Sequence, residues 1–181
     1  MKSNYLSVSA LVLCLALHPV SSSCQRDAPR VVPAAMARIL KGLQAVDVLV
    51  ESDDKTATDN GLEISRIQSD TESQLRHAGL SVVERKGPRG KFVNNSCPHV
   101  FVDVNLLRIG TTQDYVVTIE VRLVEDVRLL RSVSTMAVGA ITWHKSTVGY
   151  TTREDIPLIR TKVKDLVDLL CSDYLKANPT K

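Results

Sequence analysis

The chain has 181 residues, 44% of them apolar and 24% charged, and carries a formal charge of +3 at neutral pH. That composition excludes a largely disordered chain, and the near-neutral charge argues against a nucleic-acid binder, which gathers many more cations to neutralise phosphates. The length suits one domain with its own core and leaves little room for a second.

Residues 1–23 have the layout of an export signal. Lys2 precedes an apolar run from Leu6 to Val20 that is too short for a stable membrane-spanning helix. Ser21, Ser22 and Ser23 then supply the small residues that a signal peptidase accepts before Cys24. After this leader no apolar run reaches the roughly 20 residues of a spanning helix, so no integral membrane segment is expected in the mature chain. Export places Cys24, Cys97 and Cys171 where disulfides form. Lipidation of Cys24 at the new amino terminus would leave Cys97 and Cys171 to pair, although Ser21 stands where lipoprotein signals favour leucine. That bridge would close a loop of roughly 70 residues, for which chain entropy allows about 4 kcal/mol as a ceiling. Two unpaired, buried thiols are the alternative.

Residues 24–44 read as a lead-in. Gln25 to Pro33 shows no apolar period, and Met36, Ile39, Leu40 and Leu43 have the spacing of a short helix. Residues 45–181 read as a single α+β domain. Its first strand is expected over 45–51, where Val46, Val48 and Val50 alternate with polar neighbours. Asn60 and Glu63 resemble a capping box, although Asn60-Gly61 also fits a hairpin turn. Ile64, Ile67, Thr71, Leu75 and Ala78 form a helical stripe that decides for the cap, and Gly79 stops the helix. Leu80 to Glu84 then completes a β-α-β unit with parallel strands and a right-handed crossover. Lys86 to Pro98 is a loop by its glycines, prolines and asparagines.

Three further strands are expected: Val100–Leu106, Tyr115–Leu123 and Met136–Trp143. Gly110 to Asp114 has the length of a hairpin connection, and Glu125, Asp126, Arg128 and Arg131 read as a solvated link between strands. A final helix from about Asp155, with Pro157 in its first turn, places Ile159, Val163, Leu166, Leu170 and Tyr174 on one face. Asn178-Pro179 ends it. The expected architecture is thus a β-α-β unit, a three-strand antiparallel meander and a carboxy-terminal helix, forming a mixed sheet with helices on one face.

Chemistry-bearing constellations are few. His77, His99 and His144 have no Cys or acid at metal-ligand spacing. Asp53, Asp54 and Asp59 lack the calcium-loop pattern, so no metal or other cofactor is expected. Cys97 with His144 is the single nucleophile–base pair that can be drawn, and the residues around Cys97 match no cysteine-protease motif. No catalytic residue is assigned. Asn94-Asn95-Ser96 meets the N-glycosylation rule. Trp143 reads as core or rim, or as the mark of a binding surface. Leu158 and Leu169 lie off the main helical stripe, either exposed or covered by a partner.

Gly61-Leu62, Leu75 to Val82, Tyr115 to Glu120, Thr142-Trp143 and Asp173 to Pro179 resemble a broad set of uncharacterised bacterial exported proteins. In topology the chain is similar to the amino-terminal domain of the TolB translocation protein and to curli secretion channel subunits. This resemblance implies an envelope setting and protein contacts, and brings no catalytic residues. The function expected is that of a secreted or periplasmic binding module contacting another envelope protein. A small-ligand or acyl-chain carrier with a pocket between sheet and helices is the alternative, and a hydrolase the second alternative.

Overall fold

The computed structural model describes residues 38–52, 58–59, 61–83 and 97–179. Residues 1–37, which include the expected leader and Cys24, and Asn60 lie outside the described residues, as do 84–96, which hold Asn94, the end of the expected second strand and most of the expected loop. Ala45–Glu51 forms β1, followed by helix α1 at Ile64–His77, β2 at Ser81–Val82 and β3 at His99–Arg108. Two long strands come next, β4 at Asp114–Leu129 and β5 at Ser132–Thr152, and then a single 3-10 turn at Ile156–Leu158 that leads into α2 at Ile159–Ala177. The five strands lie in the order β2-β1-β3-β4-β5. β1 is parallel to β2 and β3, whereas β3-β4-β5 is antiparallel, which gives the mixed α+β sheet expected from the sequence.

Alternation along the strands decides which face the helices cover. Val46, Val48 and Val50 of β1, Val100, Val102, Val104 and Leu106 of β3, and Val117, Ile119, Val121 and Leu123 of β4 are all buried. They form one cluster with Ile67 and Leu75 of α1 and with Ile159, Val163, Leu166 and Leu170 of α2. Trp143 is 1% exposed within it, and its indole N–H donates to the Asp173 carboxylate at 3.2 Å. This satisfies the polar atom that burial would otherwise strand.

The helices also hold each other. Arg160 donates through Nε and Nη2 to the Asp70 carboxylate at 2.5 and 2.9 Å. The Gln74 amide donates to Asp168 at 2.6 Å. Both helix ends are closed locally. Gly79, at φ +91°, lets its own N–H reach the Arg76 carbonyl and the Leu80 N–H reach that of Leu75, each at 3.0 Å. This left-handed stop brings the buried Leu80 and Leu75 together. At the end of α2, the Asn178 amide donates to the Leu40 and Tyr174 carbonyls and accepts from the Gly42 N–H. One side chain thereby ties the residues before β1 to the helix terminus.

Three expectations change. α1 starts at Ile64, because Glu63 has an extended backbone and makes no side-chain cap bond; its carboxylate pairs with Arg66 at 2.5 Å. The charged run 125–131 is not a solvated link but the continuation of β4 into a tight turn at Leu130-Arg131. Val124 and Val127 find cross-strand partners in Ile141 and Ala137, which makes pairing better than solvation there. The last strand therefore covers Ser132–Thr152 instead of 136–143. Within the region expected as a short pre-domain helix, the described residues show Arg38 and Ile39 helical before the chain turns at Lys41-Gly42.

Candidate functional site

The sheet face turned away from the helices carries the polar chemistry. At one end, His99 and Asp47 face each other across β3 and β1, and the His99 Nδ1 and an Asp47 carboxylate oxygen are in close hydrogen-bonding contact. Both residues are buried, so the pair is shielded from solvent competition. Cys97 lies immediately before β3, and with His99, Val124 and Gly139 it lines a small cavity of about 100 Å³. Burial pushes the Cys97 thiol above its ordinary value, and the Asp47 carboxylate pushes it in the same direction against a compensating backbone hydrogen bond. Such a thiol is protonated at neutral pH and is a poor nucleophile.

In the centre of the face, Phe101, Arg122 and His144 are neighbours across β3, β4 and β5. The Arg122 guanidinium sits 5.3 Å from the Phe101 ring centroid. It pairs with Asp103 at 3.1 Å and Glu120 at 2.6 Å, while His144 Nε2 is 3.6 Å from Glu120. Half-exposed pairs of this kind contribute about 0.2–1 kcal/mol each, so the cluster orders the surface more than it holds the fold.

At the far end the face turns apolar: Leu107, Val148 and Tyr150 are 71%, 69% and 64% exposed. The Asp114 carboxylate beside the Tyr150 hydroxyl raises the phenol above its ordinary value. Beside these residues runs the free edge of β5, the outermost strand of the sheet.

The residues singled out from the sequence are distributed as follows. Cys97 and Cys171 are free thiols in this structure. Cys97 belongs to the Asp47–His99 corner, and Cys171 is buried on α2 with its S–H toward the Gln74 carbonyl at 3.7 Å. Burial, with Asp168 nearby, pushes the Cys171 thiol up to about 11. His144 is placed on Glu120 and is not among the residues lining the Cys97 cavity; the histidine brought to Cys97 is His99. His77 bonds to Ser73 on α1. Among the described residues no group of three His, Cys, Asp or Glu is placed to hold a metal, and no helix is long and apolar enough to cross a membrane. A carrier would require a sizeable pocket between sheet and helices. Instead, the space there is filled by the buried cluster, and the two described cavities both lie at the Cys97 end.

The Asp47–His99 pair and the β5 edge were missed from the sequence. The pair follows from alternation once β1 and β3 are known to be adjacent, because both residues then fall on the same face. The edge had a local signal in Val148, Tyr150 and the threonines around them, residues that favour strands.

The fold and this surface define a mixed-sheet α+β domain in which, among the described residues, the helices cover one face of the sheet. No protein-family model matches the chain, and no curated protein matches it. Among solved structures it is similar to a PelC dodecamer from Paraburkholderia phytofirmans, with 17% identity, a TM-score of 0.38, and coverage of 78% of this chain and 91% of that one. It is also similar to a minor lipoprotein from Acinetobacter baumannii, with 10% identity, a TM-score of 0.39, and coverage of 76% and 94%. For the hypothetical protein CT253 from Chlamydia trachomatis the identity is 10%, the TM-score 0.46, and the coverage 75% and 99%.

Proposed function

We propose that the protein is an exported envelope module that works by binding another envelope protein through its uncovered sheet face. The observation that carries this reading is the exposure of Leu107, Val148 and Tyr150 on one face of a sheet whose opposite face carries the buried core. A fold that only needed stability would place polar residues there, and contiguous exposed apolar side chains mark contact surfaces. The raised thiol of Cys97 and the assignment of His144 to Glu120 favour binding over nucleophilic chemistry. Export follows in this reading from the 1–23 leader, and attachment to a membrane from acylation of Cys24. In the same compartment Cys97 is open to oxidation, and Cys171 only while the chain is unfolded.

The test is capture of the tagged full-length protein from its own cell envelope under gentle crosslinking, alongside Leu107→Asp. A partner that is recovered with the wild type and lost with the variant is expected. Recovery of the wild type alone sinks the reading. The intact mass of the recovered protein reports cleavage before Cys24, acylation of Cys24 and any Cys97–Cys171 bond.

A further inference from the structure

The two edges of the sheet differ in a way that points to an occupant. The β2 edge has only Ser81 and Val82 in register. The β5 edge extends for 21 residues. Natural sheets protect long edges with charges, prolines, bulges or a covering element, and β5 uses these devices unevenly. All three register shifts of the β4–β5 pair fall in its distal arm, between Leu123 and Leu129 on β4. From Trp143 to Thr152 the pairing with β4 runs through ten consecutive residues without a break. That stretch contains no proline, and Lys145 is its single formal charge. Thr147 and Gly149, on the helix-side face of the strand, are exposed, so no helix among the described residues covers the edge either.

We infer that two copies of this chain pair antiparallel along Trp143–Thr152, joining their sheets into one across a twofold axis. This inference deepens the binding reading of the same surface by naming one occupant. A second strand of equal length satisfies the most backbone groups along this edge, and among the described residues the other edge, β2, offers two residues whereas β5 offers ten in unbroken register. Antiparallel self-pairing is also the arrangement that closes. Centred on Val148, it sets Val148 against its counterpart, Tyr150 beside Ser146 and Lys145 opposite Thr151 of the second copy. No like charges then meet, and the apolar end of each face continues into the other.

The experiment is the solution mass of the purified mature protein by light scattering, with Val148→Asp and Val138→Asp as variants on the same strand. Val138 is comparably exposed but lies in the bulged arm. The wild type and Val138→Asp are expected at twice the mass of one chain, and Val148→Asp at the mass of one chain with an unchanged circular dichroism spectrum. If Val148→Asp fails to fold, amide exchange of the wild type decides: Trp143–Thr152 slows as concentration rises. A wild type at the mass of one chain overturns the proposal. So does a dimer that Val138→Asp dissociates and Val148→Asp leaves intact, and so does a single-chain protein that sediments with lipid vesicles, which would assign the patch to a membrane surface. A dimer that captures no envelope partner contradicts the binding reading alone. A captured partner on a single-chain protein contradicts this inference alone.

Discussion

The two faces of the sheet are made by the same strands and obey different rules. On the helix side every β3 residue from Val100 to Leu106 in alternate positions is a buried aliphatic, and the hydrophobic effect dictates the choice at about 25 cal/mol per Å² removed from water. On the other side the same strand offers His99, Phe101, Asp103, Asn105 and Leu107, a sequence of chemical types that no packing rule requires. This domain is therefore stabilised through one face, while the described residues leave the other open for contact. A substitution on the packed face should therefore act on stability, and one on the open face on binding.

Trp143→Ala should separate the faces most sharply. It empties a fully buried site and orphans the Asp173 contact, at a cost of about 3–5 kcal/mol, read as a fall in the denaturant midpoint. Asn178→Ala comes next. It removes three hydrogen bonds linking the end of α2 to Leu40 and Gly42, with an expected loss of about 1–3 kcal/mol and faster amide exchange at residues 40–45. Asp70→Asn tests the clamp between the helices through pH. The Arg160 guanidinium holds the Asp70 carboxyl below its ordinary value against a smaller desolvation effect. The pair therefore stabilises the fold above the range in which the unfolded carboxyl titrates, and that contribution is lost as pH falls through the lower folded-state value. Wild type should exceed Asp70→Asn in stability at neutral pH, and the gap should narrow on acidification. The smallest effect on stability belongs to Leu107→Asp, within about 0.5 kcal/mol of wild type, combined with the largest effect on partner capture. Thiol labelling sharpens the contrast in another way: Cys171, raised to about 11 by burial, should react only on unfolding, and at a rate set by unfolding.

The packed face was legible in the sequence because burial writes a period. β1 was read at its observed bounds, the α1 and α2 stripes point inward as expected, and Gly79 stops its helix with a positive φ. The bounds of β4 and β5 were less legible. Glu125, Asp126 and Arg128 carry the charge of a loop, and only the cross-strand partners Val127–Ala137 and Arg128–Met136 make them a strand. The open face was hardest to read. Asp47 and His99 are separated by 52 residues, and a pair formed by strand order leaves no local spacing to detect. Val148 and Tyr150 carry a local strand signal, but that their strand is outermost is a property of the whole sheet and not of either residue.

In the proposed binding reading, the uncovered face and its β5 edge are occupied when the protein works. Amide exchange measured on the protein in its native envelope, compared with the isolated protein at high dilution, tests it directly. The account predicts that Trp143–Thr152 exchanges more slowly in the envelope while α1 and α2 are unchanged. Equal exchange of Trp143–Thr152 in both settings would contradict it.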